Sequence, residues 1–76
     1  MSERLPRVTA TELLRALEKA GWERVRTTGS HVHMRHPDRP GRPVVPFHSG
    51  RIVKLGTLHS IMDQTGMTVA ELRELL

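Results

Sequence analysis

Two histidines and an arginine alternate along His31-Val32-His33-Met34-Arg35, directly after the dipeptide Gly29-Ser30. In a strand, side chains alternate between faces, so His31, His33 and Arg35 share one face while Val32 and Met34 take the other. The apolar pair reads as core-facing. The polar face then offers two titratable imidazoles and a guanidinium on one rigid element, a set suited to general acid–base chemistry on a phosphodiester. Gly29-Ser30 is a tight-turn pair, and its backbone N–H groups fall near His31, where such groups can bind a phosphate oxygen. The plainer reading of His31 is a structural strand histidine. The turn before it favours the chemical one.

His31 and His33 also form a His-x-His pair, with His36 and His48 further along, which is a legitimate metal spacing on a strand. The only local carboxylate is Asp38 in the following loop, and no cysteine is present, so no metal or other cofactor is expected. Arg24, Arg26, Arg35, Arg39, Arg42, Arg51 and Lys54 cluster in the same half of the chain and favour a phosphate-binding surface there. Arg15, Glu18 and Lys19 are mixed charges and read as an ordinary solvated helix face. One Trp, one Phe and no Tyr leave almost no platform for stacking single-stranded bases. His59 reads as a surface residue without a role.

The 76 residues are expected to form one domain, 1–76, with a modest core. Twelve Lys and Arg against eight Asp and Glu give a net charge of +4, and ten of the twelve are arginine, which suits forked phosphate contacts. Absence of cysteine fits a reducing compartment. No apolar run reaches membrane-spanning length, and Met1-Ser2-Glu3-Arg4-Leu5-Pro6 lacks the apolar stretch of a signal peptide. A cytoplasmic protein with no membrane partner is expected.

The elements that must hold the histidine face are well marked. Thr9 and Glu12 form a Thr-x-x-Glu capping box, with Val8 and Leu13 as its hydrophobic staple. Leu13, Leu14, Leu17 and Ala20 make one stripe and Gly21 stands where a left-handed cap is needed, so a helix over residues 10–20 is predicted. Residues 22–36 read as two strands broken at Gly29-Ser30. If Arg24 and Arg26 face out, Val25 faces in, but Trp22 then falls on the arginine face. Either Trp22 precedes the strand and plugs the core, or a bulge intervenes; the plug is preferred. Residues 37–43 form a Pro- and Gly-rich connection, and a third strand follows at Val44–Phe47, where Pro46 implies an edge or an early end to the ladder. Arg51–Gly56 reads as a loop whose Ile52, Val53 and Leu55 partly pack down. Thr57 is placed to cap a short helix with Leu58, Ile61 and Met62 on one face, stopped by Gly66. Thr68 and Glu71 form a second capping box, stapled by Met67 and Leu72, opening a helix through Leu76. The fold class is α+β: a helix, a three-stranded antiparallel sheet and two helices, with the helices on one face and the other open.

These residues resemble a known family. Leu5-Pro6, Thr9-x-x-Glu12-Leu13, Leu17, Ala20-Gly21-Trp22, Gly29-Ser30-His31, His36-Pro37, Val45-Pro46-Phe47-His48-Ser49-Gly50, Gly56-Thr57-Leu58, Ile61, Gly66 and Glu71 follow in the order seen in HicA (YcfA-like) toxins, the mRNA interferases of toxin-antitoxin systems. The chain departs from the usual pattern at Ile52, where an acidic residue is common, and at Leu55, where proline is common. The resemblance implies a fold similar to double-stranded-RNA-binding domains, metal-independent ribonuclease activity on mRNA, and neutralisation by a HicB-type antitoxin. It places the family's catalytic histidine on His31, with Gly29 and Ser30 before it, and a second family histidine on His48.

Together these readings assign catalysis to His31 and phosphate or RNA binding to Gly29, Ser30, His33, Arg24, Arg26, Arg35 and His48. The second proton carrier is left among His33, His48 and solvent. The alternative is a non-catalytic double-stranded-RNA-binding module, which has no need of a turn-mounted histidine on an open face. No stretch reads as a self-masking lid, so a protein partner covering His31 is expected, drawn by an acidic surface to the basic face.

Overall fold

A computed structural model of the protein describes residues 4–76. Helix α1 runs Ala10–Lys19, begun by the expected box: the Thr9 backbone N–H donates to Glu12 Oε1 at 2.9 Å, and the Glu12 N–H donates to Thr9 Oγ1 at 3.2 Å. Its end is a Schellman arrangement, with the Trp22 N–H donating to the Leu17 carbonyl and the Gly21 N–H to that of Glu18, both at 3.0 Å. Gly21 takes φ +98° to make this turn. Leu13, Leu14, Ala16 and Leu17 are buried on its inner stripe. Removing a leucine side chain from water contributes about 1.5–3 kcal/mol, so these positions decide where α1 lies.

Strands β1 (Glu23–Thr28), β2 (His31–Arg35) and β3 (Val44–Pro46) form an antiparallel sheet in sequence order, with β2 in the middle. Val32, Met34 and Val45 enter the core on one face, against α1 and α2. Trp22 precedes β1 and is 2% exposed, so it plugs the core as expected. A bulge is present as well. Register shifts between Arg24 and Arg26, leaving Val25 as the extra residue and 48% exposed, which corrects the expectation that it faces inward.

The connection after β2 folds down onto helix α2 (Leu55–Thr65): Arg39 Nη1 lies 3.4 Å from the Thr65 carbonyl. Helix α2 starts three residues earlier than predicted, capped at Lys54 rather than Thr57, because the Lys54 carbonyl accepts from the Leu58 N–H at 2.9 Å; Leu55, Gly56 and Thr57 are therefore helical. Of the apolar residues just before and at this start, only Val53 packs, tied by its N–H to the Val8 carbonyl at 2.8 Å; Ile52 and Leu55 are exposed. Gly66 ends α2 with φ +71°, and the Thr68–Glu71 capping box opens α3 (Val69–Leu75), which packs on α1. The layout is the expected one: helix, three strands, two helices. No helix among the described residues is long and apolar enough to cross a membrane.

Candidate functional site

The free face of the sheet carries His31, His33 and Arg35 from β2. Register sets Thr28 and Pro46 on either side of His31, and Arg26 and Val44 on either side of His33. Directly opposed residues share a face, so these side chains form one surface with His31 at the centre of its turn end. His31 is exposed and His33 half-buried. Gly29 adopts φ +58° as the first of the two turn residues between Thr28 and His31, the position where a two-residue hairpin requires positive φ. The Ser30 carbonyl accepts the Phe47 N–H at 2.6 Å, pinning the turn to β3. The Gly29 and Ser30 amides, in the turn that leads directly into His31, meet no backbone acceptor among the described residues.

The arginines separate into two groups. Arg24 stands opposite Met34, on the helix side of the sheet, because the Val25 bulge reverses its face. Its Nη2 lies 3.2 Å from Glu18 Oε1 on α1, so it does not join the His31 face as the sequence suggested. Arg35 is on that face, with Nε 3.6 Å from Glu23 Oε1. The pair is half-exposed, and such pairs contribute about 0–1 kcal/mol, so a substrate phosphate competes for Arg35 at little cost. Arg39 is committed to the end of α2. In the segment from Arg24 to Lys54, the cations without a protein partner among the described residues are Arg26, Arg42, Arg51 and Lys54. Of these, only Arg26 is among the individual binding residues that the sequence assigns.

These four cations line two recesses, each of about 330 Å³. Val25, Arg26, His33 and Arg42 form one, with the bulged Val25 as its wall. The other lies beyond β3 and is lined by Pro46, His48, Arg51, Ile52, Val53, Lys54 and Thr57. His48 lies past the end of β3 and lines this second recess; a turn closed by the Arg51 N–H on the His48 carbonyl at 3.0 Å holds the segment there. His36, which the sequence groups with the other histidines, is structural. Its Nδ1 accepts the Asp38 N–H at 3.0 Å, which leaves Nε2–H to donate to the Ala20 carbonyl at 3.2 Å. The ring also stands edge-on to Trp22, with centroids 5.1 Å apart. Among the described residues, no three His, Asp or Glu side chains converge as a metal-ligand set.

No curated protein matches the chain. A family model described as HicA toxin of bacterial toxin-antitoxin matches residues 10–67, from the start of α1 through the turn after α2. That match takes in the turn, all three strands and both recesses, and it makes an antitoxin the counterpart of this protein. The chain belongs to the HicA family of bacterial toxin-antitoxin toxins.

Proposed function

We propose that this toxin is a cytoplasmic endoribonuclease that cleaves mRNA over His31 with its own side chains and no metal. The observation that carries the reading is His31 itself: an exposed imidazole at the turn end of the central strand, directly after the Gly29-Ser30 turn, with no protein partner for its ring among the described residues. The nearest nucleophile on RNA is the ribose 2′-hydroxyl. As base, His31 takes that proton while the 2′-oxygen attacks phosphorus; the P–O5′ bond breaks and the 5′-oxygen leaves with a proton. The products are a 2′,3′-cyclic phosphate and a 5′-hydroxyl. A single imidazole cannot accept and donate at the same instant, so His33, His48 or solvent supplies the other proton. Positioned proton transfer contributes about 10²–10⁴ in rate. The Gly29 and Ser30 amides stabilise the charge gathering on the phosphate oxygens, while Arg35, four residues along β2, draws the strand to this face from a distance. A HicB-type antitoxin then silences the protein by covering His31 with an acidic surface.

The test is purified protein on a defined mRNA in EDTA, with the new ends identified. Cyclic phosphate and 5′-hydroxyl ends, lost in His31→Ala, are expected. Loss of cleavage on chelation, restored by a divalent ion, overturns the metal-free step, and RNA bound but never cut makes the chain a binding module instead.

A further inference from the structure

The two recesses lie on opposite sides of His31. Along β2, His33 is two residues from His31, a step of about 7 Å at strand rise. That step leads into the recess of Arg26, His33 and Arg42. Across the ladder, Pro46 opposes His31 and is also the near wall of the recess of His48, Arg51 and Lys54. A line through the three sites crosses the sheet diagonally, with His31 in the middle. Each flanking site gathers cations that no carboxylate among the described residues neutralises, while Arg24, Arg35 and Arg39 nearby are engaged by protein atoms. Like charges drawn together without a counter-ion make a site for an anion.

The free face offers no Trp, Tyr or Phe ring to a base: Trp22 is buried and Phe47 packs against the core. We infer that a single RNA strand crosses the sheet held by three successive phosphates, the middle one over His31, one neighbour on Arg26, His33 and Arg42, and the other on His48, Arg51 and Lys54. The placement of the reacting phosphate rests on the ribonuclease reading; the flanking sites do not. Contacts of this kind position a strand without reading its sequence, so base preference at this face is weak.

The experiment is binding of a short RNA, made uncleavable by 2′-deoxy substitution, to the full chain, followed by fluorescence anisotropy over a salt series. For a single strand, each phosphate that the protein no longer engages reduces the slope of log K against log salt by about 0.7. Joint Arg26→Gln and Arg42→Gln substitution is expected to reduce it by that amount, as is joint Arg51→Gln and Lys54→Gln. Arg15→Gln with Arg73→Gln, which removes the same charge from α1 and α3, leaves it unchanged. Neutral methylphosphonates placed one at a time are expected to weaken wild-type binding at three consecutive positions. In the Arg26/Arg42 variant the effect at one outer position disappears. Equal slopes in all three double variants, or no consecutive pattern, overturn the track. RNA bound in this pattern yet never cut overturns the nuclease and leaves the track standing.

Discussion

Two histidines five residues apart give the sharpest test of the reasoning, because one ring holds the fold and the other does not. His36→Ala removes two hydrogen bonds, to the Ala20 carbonyl and from the Asp38 amide, and the edge-on contact with Trp22. At about 0.5–1.5 kcal/mol for each hydrogen bond and about the same for the aromatic pair, the cost is roughly 2–4 kcal/mol. That is a large share of the ~5–15 kcal/mol that holds a typical domain. At about 4–8 °C per kcal/mol in a chain this small, the midpoint falls by roughly 8–30 °C. His31→Ala touches an exposed ring with no partner among the described residues, so its effect on stability stays within about 0.5 kcal/mol. Its effect on cleavage is about 10²–10⁴, equivalent to roughly 3–5 kcal/mol of barrier. Thermal melts of both variants, with cleavage assayed well below both midpoints, separate the roles. His36→Ala melting with the wild type refutes the structural account, and His31→Ala cutting at the wild-type rate refutes the catalytic one.

Gly21→Ala is expected to destabilise the protein by about 2–3 kcal/mol, since φ is +98° and the added Cβ would stand 2.7 Å from His36 Nε2; equilibrium unfolding measures it. Gly29→Ala meets no atom within 4 Å and costs only the backbone strain of φ +58°, so its unfolding midpoint should fall less than that of Gly21→Ala. Met34→Ala, at a fully buried position on the central strand, costs about 2–5 kcal/mol by the same assay. The Thr9 backbone N–H, and then its hydroxyl, hold the Glu12 carboxyl below its ordinary range. The stability it lends α1 is therefore full above the unfolded carboxylate pKa and lost as pH falls through the folded one. Glu12→Gln should flatten the acid side of a stability–pH curve measured by urea unfolding.

What the sequence made legible was whatever is encoded locally. Both capping boxes, the Gly21 turn and the Gly29-Ser30 hairpin depend on residues within a few positions of one another, and each stands where its pattern put it. The parity conflict between Trp22 and the arginines was visible too, but it offered plug and bulge as alternatives, and the structure uses both. Val25 misleads because a β-branched residue between two arginines looks like the inward position of an alternating strand. The start of α2 is hidden because Lys54 caps it without a side-chain hydrogen bond, leaving no signature residue to read. Which arginines are spent on structure was not legible at all. Arg39 reaches the Thr65 carbonyl 26 positions away, and Arg24 reaches Glu18 only after the bulge has turned it. Arg42, Arg51 and Lys54 stand out as cations without a protein partner among the described residues only once those pairings are known.

The Val25 bulge also shapes what this sheet does with its rims. With three strands in sequence order, β1 and β3 each present a row of amides and carbonyls that another chain can extend. A protein that waits for a partner at measurable concentration is exposed to its own copies meanwhile. On the β1 rim, the bulge breaks the even spacing of the row, and the flanking arginines add charge that repels a second copy. On the β3 rim, Pro46 has no N–H to give, and the strand is only three residues long. Each rim is thus blunted by its own means, and the free face stays available to a dissimilar partner without the sheet growing into a polymer of itself.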